Sequence, residues 1–214
     1  MSVAAVIVAA GQGTRFGGAK QFSLLEGETV ASRSVRAARS VASLVVLVVP
    51  GSYDGNGEGA DVIVTGGPTR AASVRAGLAH CGDADVVVVH DAARPLASPA
   101  LFQSVVDAVR GGADAAIPGL KLTDTVKRFS VIGDETVVSA TLSREELVTV
   151  QTPQAFKTEV LLRAHESNAD ASDDAGLVEA LGARVVVVDG EPYNFKITHL
   201  SDIDLLNVVE RSRQ

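Results

Sequence analysis

The sequence predicts an α/β protein with a mostly parallel sheet flanked by helices. Three observations predict it. Valine-rich runs of four to six residues recur without polar alternation, the pattern of strands buried on both faces. Segments with apolar residues at helical spacing separate these runs. The first run breaks at once into a glycine-rich loop, and in such sheets ligands bind outside the carboxyl ends of the strands.

In chain order, strands are expected at Val3–Val8, Leu44–Val49, 61–64, 86–89, 113–117 and 184–188. Helices are expected at 31–40, 70–81, Pro99–Arg110, 160–167, 173–181 and 202–211. The stretch 121–138 departs from this alternation, being polar with scattered β-formers and a Gly133-Asp134 turn. It reads as a β-hairpin with too few apolar residues to bury against its own domain. An isolated hairpin is marginal in water, so this arm, about 121–142, is expected to pack on a second subunit. Residues 51–59 read as a flexible surface loop. No repeat or linker splits the chain, so 1–214 is expected to be one domain.

At 214 residues the chain can bury a substantial core, and 46% hydrophobic with 21% charged residues is an ordinary globular composition. The apolar runs are too short to cross a bilayer, and the N-terminus shows no basic, then apolar, leader pattern. The single cysteine, Cys81, is expected to be a small buried or half-buried side chain, which fits a reducing cytoplasm. A net charge of −7 argues against a basic nucleic-acid stripe, and 4% aromatic residues with no Trp argue against base-stacking platforms. An anionic substrate must therefore be caught by a local cluster of cations.

The loop Ala9-Ala10-Gly11-Gln12-Gly13-Thr14-Arg15 and its continuation to Lys20-Gln21 is the place to look. Small residues at Ala9, Ala10, Gly11 and Gly13 let a backbone turn its N–H groups toward a bulky ligand. Arg15 and Lys20 add the charges that a triphosphate needs. The spacing is not that of a dinucleotide fingerprint, because Phe16 stands where the third glycine belongs, and no Gly-Lys-Ser/Thr completes a P-loop. On the loop alone, a nucleoside triphosphate, another phosphate ligand and a structural turn all remain open.

Strand ends supply its partners. His90-Asp91-Ala92-Ala93-Arg94-Pro95 follows the fourth strand. Asp91 is placed as a Mg²⁺ and hydroxyl ligand, and Arg94 for a phosphate or for Asp91 itself. The alternative is an internal Asp91–Arg94 bridge with Asp91 capping a helix. After the last strand comes Tyr193-Asn194-Phe195-Lys196-Ile197-Thr198, where apolar neighbours suggest that Lys196 points inward. Its expected partner is then a bound anion, against the alternative of a surface strand lysine. His80, His165 and His199 are scattered without ligand spacing and read as non-catalytic.

These three motifs, in this order, closely resemble the 2-C-methyl-D-erythritol 4-phosphate cytidylyltransferase family. So do Gly66-Gly67-x-x-Arg70-x-x-Ser73-Val74, Asp124-Thr125-Val126-Lys127-Arg128 and Thr152-Pro153-Gln154-x-Phe156. The resemblance covers essentially the whole chain. It implies a Rossmann-like nucleotidyltransferase sheet with a protruding β-hairpin dimerisation arm. It also implies CMP transfer from CTP to a sugar-alcohol phosphate, a Mg²⁺ requirement and a homodimer with shared active sites.

By motif, Arg15 and Lys20 would stabilise the α-phosphate transition state. Ala9, Ala10, Gly11 and Gly13 would cradle phosphates, and Gly67, Arg70 and Ser73 would surround the cytidine. Asp91 would sit between metal-bound nucleotide and acceptor hydroxyls, with Arg94 nearby. Arg144 and Lys196 would position the acceptor phosphate, with Thr152, Ser172 and Thr198 beside them. Thr125 and Lys127 would reach the partner subunit's site. The chain departs from the family pattern in Ala19 before Lys20, in a short Arg15-to-Lys20 segment, in Ser172 for threonine and in Pro68 where an acidic residue is common. A sister enzyme using ribitol 5-phosphate and a non-catalytic CTP sensor are the alternative readings.

Overall fold

The computed structural model describes residues 1–11, 18, 20–25, 27–166 and 171–213. The first elements are β1 (Val3–Val8), a small hairpin of β2 (Leu24–Leu25) and β3 (Glu28–Thr29), α1 (Val30–Ala38), β4 (Leu44–Val49) and β5 (Val62–Thr65). Next come α2 (Arg70–Leu78), β6 (Val86–Asp91), α3 (Pro99–Arg110) and β7 (Ala115–Lys121). The chain then runs through β8 (Val126–Ile132), β9 (Glu135–Leu142), β10 (Val148–Val150) and β11 (Gln154–Lys157). It finishes with α4 (Thr158–Glu166), α5 (Asp174–Glu179), β12 (Val185–Asp189) and α6 (Ser201–Arg213).

Four strands, β5, β4, β1 and β6, are parallel neighbours, and β12 runs parallel along one edge of β7. Strand β11 lies between β6 and β7 and is antiparallel to both, and β10 continues along the same side of β7. The valine runs find their expected places because each buries both faces. On β1, Ala5 and Ile7 join the core under α1 and α3, while Ala4 and Val6 join the core under α2 and α4. The antiparallel insertion escapes a search for valine runs. Its pieces are three and four residues long and lie on either side of Thr152-Pro153.

Helix starts follow local chemistry. Thr29, Thr69, Ser98 and Asp173 each accept a backbone N–H three residues on, closing the first turns of α1, α2, α3 and α5. The 51–59 loop is at the surface but tied down: Tyr53 Oη accepts from Gly57 N–H and donates to Glu58, and its ring packs on Phe22. Cys81 is buried as expected, which pushes its thiol up to about 12.

Strands β8 and β9 form a separate two-stranded sheet turning at Gly133-Asp134, with Gly133 at φ 61°. This is the expected hairpin, lying within the expected arm of 121–142. Its apolar side chains stay in solvent: Phe129 is 60% exposed, Val131 67% and Ile132 65%. Among the described residues no helix is long and apolar enough to cross a membrane.

Candidate functional site

The site is assembled at the carboxyl ends of β1 and β6. Strand β6 runs two residues beyond the valine run, because His90 and Asp91 still pair with Ile7 and Val8 of β1. Asp91 is therefore buried within the strand end, and each of its oxygens faces a cation. Oδ1 accepts from Arg70 Nε at 3.2 Å and Oδ2 from Lys196 Nζ at 2.6 Å. Burial alone would raise the Asp91 carboxyl. The charges of Arg70, Lys196 and Arg94 reverse that and hold it well below the usual carboxylate range.

Two expectations are corrected by this geometry. Lys196 does not point inward: it lies outside any strand, on the 194–198 segment, and its partner within the chain is Asp91. The neighbouring Phe195 and Ile197 are the residues that pack inward, against α6, and the Lys196 side chain stays 41% exposed. Arg94 does not pair directly with Asp91: its Nη1 donates to Asn194 O at 2.7 Å, while its backbone N–H bonds Asp91 O. Asp91 ends a strand rather than capping a helix.

The 194–198 segment is fixed from beneath. Gln151, nearly fully buried, accepts from Glu191 N–H and Asn194 Nδ2 and donates to the carbonyl of Glu191. Asn194 Nδ2 also donates to Thr152 O at 2.9 Å. Lys20 Nζ from the first loop donates to Ile197 O, so the loop's lysine sits beside the Lys196 segment. Gln21 Nε2 donates to Ala9 O at 2.6 Å and Gly11 O at 2.9 Å, drawing the loop's start back onto itself. Gly13 and Arg15 lie outside the described residues.

Thr152 serves the strand end. Its Oγ1 accepts the Asp91 N–H at 3.0 Å and lies 3.1 Å from His90 Nδ1. The carbonyl of Arg94 only accepts, so Nε2–H of His90 donates to it at 3.2 Å, and Nδ1 of the neutral ring accepts the Thr152 hydroxyl proton. Burial of this ring pushes His90 down to about 4.

At the β5–α2 turn, Gly67 N–H donates to the buried Ser73 Oγ, which lies 3.0 Å from Thr69 O. A side chain on Gly66 would collide with Ala10 Cβ and Ser73 Oγ, so this turn presses directly on the first loop. Thr198 donates through Oγ1 to Lys196 O, and its N–H is held by Asp202 at the start of α6. Ser172 is exposed just before α5.

Thr125, Lys127 and Arg144 stand apart, on the arm and at its base. Lys127 Nζ donates to Thr141 Oγ1 at 2.6 Å, and Arg144 donates to Thr123 O. Lys121, Leu122, Thr123, Arg144 and Glu145 line an open cleft of about 390 Å³ there.

The sequence reading did not single out Asp174, and it set His165 aside as non-catalytic. Arg70 Nη1 donates to Asp174 Oδ2 at 2.7 Å, and His165 Nε2 lies 3.0 Å from Asp174 Oδ1. The two carboxylates hold Arg70 firmly charged against the opposing effect of burial. The Asp173-Asp174 pair opening a helix was visible in the sequence, yet it reads equally as capping.

Among the described residues no three His, Cys, Asp or Glu side chains share a position fit for a metal ion. Asp91, with a cation on each oxygen, is the carboxylate that would meet an ion carried by a nucleotide, since Mg²⁺ commonly takes one or two carboxylates and completes its shell from phosphates and water.

Fold and site together define an α/β protein that gathers cations at parallel strand ends to hold a phosphate ligand. More particularly, the chain belongs to the 2-C-methyl-D-erythritol 4-phosphate cytidylyltransferase family, whose model matches residues 3–211. It is 45% identical over 212 residues to the enzyme of that name from Rhodococcus jostii (strain RHA1), covering 95% of this chain and 92% of the relative. The crystal structure of 2-C-methyl-D-erythritol 4-phosphate cytidylyltransferase from Thermus thermophilus superposes with a TM-score of 0.83 at 36% identity, covering 99% of this chain and 100% of that one. The 4-diphosphocytidyl-2C-methyl-D-erythritol synthase of Anaerococcus prevotii gives a TM-score of 0.80 at 30% identity, with 98% of each chain covered.

Proposed function

We propose that the chain transfers CMP from CTP to 2-C-methyl-D-erythritol 4-phosphate, giving CDP-methylerythritol and pyrophosphate. Family and relatives support this acceptor over ribitol 5-phosphate, and an enzyme over a CTP sensor. The observation that carries the reading is the gathering of Arg70, Arg94 and Lys196 around Asp91, with Lys20 bonded to the adjoining 194–198 segment, in a chain of net charge −7. An acidic chain repels a triphosphate unless such a local surplus of cations receives it.

An oxygen of the acceptor phosphate attacks the α-phosphorus in line. The new oxygen–phosphorus bond forms as the bond to the bridging oxygen breaks, and that electron pair leaves with pyrophosphate. The nucleophile is already ionised at neutral pH, so no general base is needed. Positioning and charge stabilisation remain as the protein's work.

In this reading the backbone of Ala9, Ala10, Gly11 and Gly13 cradles phosphates, and Arg15 and Lys20 stabilise the developing charge. Gly67 and Arg70 border the cytidine, with Ser73 shaping their turn. Lys196, Ser172 and Thr198 receive the acceptor phosphate, with Arg144 reaching it from the base of the arm, while Thr152 contributes by holding Asp91. Asp91 is the carboxylate that would meet Mg²⁺ arriving with the nucleotide, which when bound neutralises phosphate charge. The exposed apolar side chains of the arm support a homodimer in which Thr125 and Lys127 complete the other subunit's pocket. A cytoplasmic setting fits these substrates.

Pyrophosphate release from CTP, measured with methylerythritol phosphate and ribitol 5-phosphate side by side, tests the reading. Release that depends on methylerythritol phosphate is expected. Release with ribitol 5-phosphate alone, or with neither, overturns it.

A further inference from the structure

His165 is an expensive residue for the place it occupies. It lies in the last turn of α4, beside Leu161 and Ala164 of the core, and is 4% exposed. Its Nδ1 is buried without a hydrogen-bond partner among the described residues. Space-filling alone would be met by leucine, with no polar atom left unsatisfied. What His165 contributes is the other nitrogen. Nε2 lies 3.0 Å from Oδ1 of Asp174, a residue with no exposed surface. An ionised carboxylate only accepts, so Nε2 carries the proton and donates it.

From Asp174 the contacts run without a gap to the site. Asp174 Oδ2 accepts from Arg70 Nη1, Arg70 Nε donates to Asp91 Oδ1, and Asp91 Oδ2 accepts from Lys196 Nζ. The Arg70 guanidinium thus spans two carboxylates, and its third nitrogen, Nη2, is buried and unpartnered among the described residues. Its orientation is dictated by where the carboxylates stand. The Asp174 carboxylate can rotate about its last torsion unless Oδ1 is held, and His165 holds it. Asp173, next to it, is held in turn by Gln154 Nε2 at 2.8 Å.

We propose that His165 is a positioning residue: it fixes the Asp174 carboxylate, which fixes Arg70, which sets Asp91 and Lys196 for the transfer. The proposal rests on the function given above. In its absence Asp174 turns, Arg70 follows, and Asp91 keeps only Lys196, which is then drawn away from the acceptor phosphate. The expected effect is the one produced when a remote change misplaces reacting groups, about 10-fold to 100-fold in turnover.

The test compares His165→Leu with His165→Gln, since a glutamine amide can place an N–H near the position of Nε2. His165→Leu is expected to lower kcat with methylerythritol phosphate by about 10-fold or more. His165→Gln is expected to recover most of that loss. The Arg70 Nε–H resonance, assigned by its disappearance in Arg70→Lys, is expected to move in His165→Leu and to stay in place in His165→Gln. Full turnover with His165→Leu, or His165→Gln as poor as His165→Leu, overturns the proposal. If His165→Leu does not fold, the isosteric Asp174→Asn removes the charge that holds Arg70, and undiminished turnover there overturns the proposal equally. If the unaltered protein transfers no CMP to methylerythritol phosphate, the function assigned above falls. The Arg70 resonance still decides the role of His165.

Discussion

Acid should loosen this protein before its carboxylates titrate, and His90 is the reason. Burial pushes the folded ring down to about 4, against an ordinary value of 6.5. Between those values the unfolded chain takes up a proton that the folded protein refuses. Stability is therefore complete above pH 6.5 and falls as the pH drops toward 4. Working that difference through linkage gives a loss of about 2 kcal/mol between pH 7 and pH 5. For a chain of this size that corresponds to a drop of roughly 4–8 °C in melting temperature. Urea unfolding at intervals across pH 7 to 4 measures it directly, with His90→Gln as the comparison. In that variant the slope over this window should flatten, whatever its stability at pH 7. The Asp91 carboxyl, held low by its cations, contributes a separate loss that sets in below about pH 5, as the unfolded carboxyl nears its ordinary value of 3.8. An equal slope in both proteins would refute the argument that His90 is buried uncharged.

Other expectations follow from the same site. Arg15→Ala and Lys20→Ala should each lower kcat by roughly 10²–10³-fold, the scale of losing one preorganised stabiliser. A change confined to the KM for CTP would assign them to uniform binding. Lys196→Ala should raise the KM for the sugar phosphate and lower kcat with CTP affinity nearly unchanged, as read by calorimetry; a collapse of CTP binding would move Lys196 to the nucleotide side. Gly66→Ala drives a methyl into Ala10 and should weaken CTP binding while destabilising the fold by about 1–3 kcal/mol in denaturant titrations. Mixing inactive Lys20→Ala and Lys127→Ala subunits should restore one working site per heterodimer, whereas a fully active monomer in sedimentation would exclude shared sites.

The valine runs made the parallel strands legible because a strand covered on both faces has no polar register to interrupt it. Strand β11 was hidden for the opposite reason. Gln154-Ala155-Phe156-Lys157 is too short and mixed to announce itself, and only its neighbours on both sides make it a strand. The arm was readable because a polar hairpin with a Gly-Asp turn is a local pattern. At the site, cations placed after strands could be found from their positions. What each one touches could not, because Lys196 and Asp91 are 105 residues apart in the chain. His165 was beyond reach for the same reason. A lone histidine on a helix carries no spacing signal, and its partner Asp174 is on another helix.

The two ends of the arm meet. The last residue of β7, Lys121, is the register partner of Val148, the first residue of β10, so everything between leaves the sheet and returns to the same point. Arg70, Thr152 and Lys196, which hold Asp91, all come from outside that excursion. The excursion is thus a cassette with adjoining termini, carrying Thr125, Lys127, Arg144 and the exposed apolar surface together. Exchanging it between relatives would require no new strand pairing, because Lys121 and Val148 already stand opposite each other at its base.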